Sequence, residues 1–134
     1  MGNIIDGVMQ KIADYIDTEV EPYASIVFGS DPPENGICMI QGAGAPSDTH
    51  LDKGMVYGLP VVLNGKNKSQ ATVLDDLTAI HEALTRKLDY SDVSTDDCQV
   101  VDISTTGSPA IIGREQNSQW ICGSSLDVTF YWRK

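Results

Sequence analysis

The chain has 134 residues, enough for one domain with a proper core. Nineteen acidic against nine basic residues give a formal net charge of −10, and such a surface should not grip a phosphate backbone, which needs clustered Lys and Arg. No apolar run is long enough to span a bilayer, and Met1–Asp6 lacks the basic-then-apolar pattern of a secretory signal, so a soluble, cytoplasmically made chain is expected.

The first predicted element is a helix in which Ile4, Ile5, Val8, Ile12, Tyr15 and Ile16 recur at three- and four-residue spacing. Pro22 ends the connection after it, and Tyr23–Phe28 reads as a short strand. The turn residues Gly29-Ser30-Asp31-Pro32-Pro33-Glu34-Asn35-Gly36 stop that strand, and Ile37–Gln41 forms a second, apolar enough to lie inside a sheet. The stretch 42–54 shows neither helical nor strand period and is expected to be a long, mobile loop. A third strand, Met55–Leu63, carries Pro60, which suggests an edge or a bulge. Asn64–Lys68 reads as a polar turn. Ser69 is a natural N-cap for a second helix over about 70–88, with Val73, Leu74, Leu77, Ile80, Leu84 and Leu88 inward and Asp75, Asp76, Glu82, Arg86 and Lys87 outward. A fourth strand covers 99–104. Pro109–Ile112 then leads through the polar turn Gly113–Ser118 into a last strand. There Leu126, Val128, Phe130 and Trp132 alternate with Asp127, Thr129 and Tyr131. The order predicts an α+β fold: a single, largely antiparallel sheet with both helices packed on one face, in one domain spanning 1–134.

Little in the chain carries chemistry. Acids run unrelieved by any base between Lys11 and Lys53 and again between Lys87 and Arg114, which serves solubility or lets DNA pass without sticking. Cys38, Cys98 and Cys122 are scattered, without the close spacing of a zinc site, and are expected to be buried, reduced thiols. Gly42-Ala43-Gly44 follows a strand, but a dinucleotide fingerprint needs a third glycine and a helix opening after it, and both are missing. Asp48, His50 and Asp52 alternate and could hold a divalent ion if extended, but a solvated loop, ordered against a partner, fits better. His81 sits beside an apolar helical stripe with no nucleophile or orienting group in sequence reach. No catalytic residue, cofactor site or metal site is expected. Tyr131 and the Arg114 turn are instead candidates for a subunit interface, where Tyr, Trp and Arg are enriched.

The run Ser108-Pro109-Ala110-Ile111-Ile112-Gly113-Arg114-Glu115-Gln116-Asn117, followed by an aromatic terminal strand, resembles the minor capsid or tail-terminator proteins of tailed bacteriophages. A short first helix, the F-G-x-D-P-P-E segment at Phe28–Glu34, the Gly-Ala-Pro loop at Gly44–Pro46 and a long helix from Ser69 agree in order. The resemblance implies a non-enzymatic virion protein. Its subunits would form a ring, usually of six, that caps the tail tube, joins it to the head and lets DNA through the lumen. The partners implied are further copies of itself, the tail-tube protein and head–tail connector proteins, with no membrane. A head-to-tail ring needs two different patches on each subunit. The expected contact residues are Asp48, His50, Asp52 and Lys53 in the long loop, Arg114 and Glu115 in the turn, and Tyr131. Other head–tail joining or tail-tube proteins, an acidic monomeric inhibitor- or immunity-like module, and a metal enzyme using Asp48, His50 and Asp52 are the alternatives.

Overall fold

The computed structural model describes residues 2–29, 32–41, 45–49, 55–95, 98–116 and 118–132. Helix α1 (Gly2–Tyr15) continues into a π-helical turn, Ile16–Val20. Strands β1 (Ile26–Phe28), β2 (Ile37–Gln41), β3 (Ala45–Thr49) and β4 (Met55–Asn67) follow. Helix α2 (Gln70–Glu82) runs on through a second π-helical turn, Ala83–Lys87, and a short 3-10 helix, Tyr90–Val93, leads to β5 (Cys98–Arg114) and β6 (Trp120–Trp132). The six strands make one sheet in the order β1-β2-β4-β6-β5, with β3 paired to β4. Among the described residues only the β1–β2 pair is parallel, so the sheet is mixed but largely antiparallel.

Alternation sorts this sheet into two faces. On one, Leu59, Val61, Leu63, Leu126, Val128 and Phe130 are all at most 1% exposed. Helix α2 sets Val73, Leu77, Ile80 and Leu84 against that face, and α1 adds Val8, Met9, Ile12 and Ala13 to the same core. Both helices therefore cover one face, as the apolar stripes require. Across the opposite face, Ile121, Gly123, Ser125, Asp127, Thr129 and Tyr131 of β6 are half-buried. The α2 N-terminus is capped as expected, the Ser69 hydroxyl accepting from the Thr72 N–H at 3.3 Å. Leu88, past the π-helical turn, is still buried.

Three segments differ from the sequence reading. Ala45–Thr49 is a strand, not part of an irregular loop: it pairs with Met55–Gly58, extending the edge that β2 begins. An edge strand is held by backbone pairing and needs no apolar alternation, and a register shift between Pro46 and Asp48 absorbs the irregularity. Asn64–Asn67 is strand rather than turn. Its glycine serves close packing, because a Cβ on Gly65 would stand 2.8 Å from the Tyr23 hydroxyl and 3.0 Å from Val73 Cγ1. The segments 99–104 and 109–112 belong to one strand of 17 residues, β5. Gly107 and Pro109 lie inside it, since β5 is an outer strand, where proline is tolerated and four register shifts take up the mismatch. No helix among the described residues is long and apolar enough to cross a membrane.

Candidate functional site

The expected contact residues fall at the two ends of the long strands. At one end, Asp48 pairs with Val56, Val56 with Tyr131 and Tyr131 with Gln99, so Asp48 and Tyr131 occupy one row of the sheet. Tyr131 is half-buried there. His50, Asp52 and Lys53 lie outside the described residues.

Arg114 and Glu115 sit at the far end, where Asn67 pairs with Trp120 and Trp120 with Arg114. The eleven residue steps from Val56 to Asn67 span roughly 35 Å of extended strand, so the two groups do not form a single site. What the far end does assemble is a compact polar cluster. Lys66, almost fully buried, reaches Glu115 at 3.0 Å. The Arg114 guanidinium lies over the Trp120 ring, 5.2 Å from its centroid, a cation–π arrangement. Gln119, also buried, clasps the 32–36 loop: the Asn35 N–H donates to Gln119 Oε1 at 3.0 Å, and Gln119 Nε2 donates to Asn35 Oδ1 at 3.1 Å. Asn35 holds a left-handed φ of 53°, a conformation Asn tolerates better than most residues.

Sequence reasoning named Arg114 and Glu115 but not Lys66, Gln119 and Asn35 beside them, each of which looked like a turn residue. The usable signal for Lys66 was parity. Leu59, Val61, Leu63 and Gly65 share one face, which places Lys66 on the other face of a strand that had to continue. Beneath the cluster, the Tyr23 hydroxyl is 2.9 Å from the Gly36 carbonyl and 3.0 Å from that of Lys66. Burial, helped by the Asp76 carboxylate, pushes the Tyr23 phenol well above its ordinary range. Asp76, expected to face outward, is half-buried and accepts from the Tyr23 N–H at 2.8 Å.

A third polar site lies under the middle of β5. His81 is buried, its Nδ1 2.8 Å from Thr105 Oγ1, and its Nε2 has no partner among the described residues. Burial lowers its pKa. It borders a shallow depression with Thr78, Glu82, Arg86 and Ser108, but no nucleophile–base–orienting triad is formed there. Cys38, Cys98 and Cys122 are buried, and burial raises the Cys122 thiol. Among the described residues no group of three or more His, Cys, Asp or Glu side chains is placed to hold a metal ion.

No protein-family model and no curated protein matches the chain. Among solved structures, it is similar in fold to a chain from the virion of a native gene transfer agent particle. The TM-score is 0.51 and the sequence identity 14%, over 92% of this chain and 91% of that one.

Proposed function

We propose that this chain is a structural subunit of a tailed-phage-like virion, a tail terminator or minor capsid protein that caps the tail tube and joins it to the head. The observation that carries the reading is the fold shared along nearly the full length of both chains with a protein of a gene transfer agent virion. The sequence resemblance of Ser108–Asn117 and of the element order points to the same class. The charge supports it as well: a lumen lined by a protein of net charge −10 repels DNA and lets it slide. The subunit acts by geometry, without catalysis. Among the described residues its proposed contacts divide between the two ends of the sheet, Asp48 and Tyr131 toward one and Arg114 and Glu115 toward the other. That division suits a ring, probed as a hexamer, that must meet a tube on one side and a connector on the other.

Gold-labelled antibody against the protein, applied to virions of the source virus, tests the position. Label at a single point between head and tail is expected. Label along the whole tail would make the chain a tail-tube subunit, and virions free of label would remove it from the particle altogether.

A further inference from the structure

Strand β5 is not held alike along its length. Its first part sends Cys98, Val100 and Ile103 into the core, and the Tyr90 hydroxyl accepts from the Ile103 N–H at 3.3 Å. From Ser104 to Arg114 no residue is buried, and three of the four shifts in its pairing with β6 come after Thr105. Among the described residues, this outer half is tied to helix α2 by the 2.8 Å hydrogen bond between His81 Nδ1 and Thr105 Oγ1. On the β6 side Thr106 Oγ1 donates to Ser125 Oγ at 2.9 Å, and at the far end Arg114 lies over Trp120.

The ring that makes this tie is poorly placed to carry charge. His81 is 5% exposed, and its Nε2 is buried without a partner among the described residues. A neutral ring leaves one atom unpaired. An imidazolium carries N–H on both nitrogens, and its Nε2–H would meet neither an acceptor nor water. From the helix side, Glu82 and Arg86 border the depression beside the ring with opposite charges, and Thr78 adds a hydroxyl. From β5 the depression receives Thr105, Ser108 and Pro109. The acids Asp102 and Asp127 belong to the opposite face of the sheet. Asp102 pairs with Thr129, and Asp127 and Thr129 alternate with the buried Leu126, Val128 and Phe130. Neither carboxylate therefore meets the ring, and the open depression is its route to water.

We infer that His81 is a proton-operated latch. As the neutral ring it fastens the outer half of β5 to helix α2. When protonated it swings into the depression and frees that half from the helix layer, while the rest of the sheet stays paired. The released ring takes up a proton near the ordinary 6.5, whereas burial keeps the fastened ring neutral. The latch is thus closed above that value and opens as pH falls below it. It operates whether or not the chain builds a ring of subunits.

Amide exchange of the full chain tests the latch, with protection measured against an unstructured peptide at each pH. Between about pH 7.5 and about pH 5.5, protection of the 106–113 amides bonded to β6 is expected to fall roughly tenfold, the factor by which a released ring of ordinary pKa gains. Protection in β4 and β6 is expected to hold. His81→Gln, which keeps a polar side chain but cannot titrate, is expected to abolish the change in 106–113. An equal fall in wild type and His81→Gln would overturn the latch, as would a fall shared equally by β4 and β6. Should His81→Gln fail to fold, the His81 ring is followed by NMR in the wild-type chain. Its titration is expected to run in step with the loss of protection. A ring that titrates while 106–113 stays protected, or stays neutral while protection falls, would overturn the latch.

Discussion

Gly65 shows how one absent side chain can position a site. With nothing on its Cα, the Tyr23 hydroxyl and Val73 close over β4, and Tyr23 then ties the Gly36 and Lys66 carbonyls together. Gly65→Ala is expected to lower stability by about 1–3 kcal/mol through overpacking, read as a lower denaturation midpoint at unchanged slope. Lys66 sets up an asymmetry with its partner. Removing the half-exposed Glu115 carboxylate leaves a buried ammonium, whereas Lys66→Met removes the buried charge itself. Glu115→Gln is therefore expected to destabilise more than Lys66→Met does, by about 1–2 kcal/mol after discounting for solvent at the glutamate. Equal losses in the two variants would show that the pair is not the reason Glu115 sits there. Of these residues only Glu115 was legible as a site candidate in the sequence. Lys66 and Gly65 stand in an Asn-Gly-Lys-Asn run whose composition signals a turn, and the packing that overrides that signal comes from Tyr23 and Val73, remote in the chain.

At the scale of elements, the middle of the sheet is its most regular part. β4 and β6 pair without a register shift from Met55–Trp132 to Asn67–Trp120, while β5 pairs with β6 through four shifts. Amide exchange is expected to be slowest in β4 and β6 and markedly faster in the 106–114 part of β5. Helix α2 is fastened to β5 by His81 and Thr105. Burial lowers the His81 pKa, so the folded state holds the neutral ring while the unfolded chain takes up a proton near the ordinary 6.5. The stabilisation this gives is present above that value and lost as pH falls below it. His81→Gln is expected to flatten the decline in Tm between about pH 7 and pH 5, and an unchanged decline would assign it to carboxylates alone. The helices were plain in the sequence because Val8, Ile12 and Ile16, and Val73, Leu77, Ile80 and Leu84, keep helical spacing. The central and last strands were plain because their alternation is strict. β3 and the continuity of β5 were not, since both are outer strands and the periodicity that betrays a strand comes from burial on one side.

For the whole molecule, the sheet order sets where the proposed contact residues stand. β4 and β6 are central while the longer β5 lies at one edge, and Tyr131 stands at one end of the sheet and Arg114 at the other, with the exposed large hydrophobic side chains among the described residues on the outer strands β1 and β5. The two ends were named as candidates from the Gly-Arg-Glu turn and the terminal aromatics. The apolar outer strands were not, because Phe28 and Ile112 are exposed only by virtue of their strands' places in the sheet. The most direct measurement is the solution mass of the wild-type chain across a concentration series, with negative-stain images of the same fractions. A discrete closed ring with a central hole is the expected result. A strict monomer that neither closes alone nor on tail tubes would contradict the account.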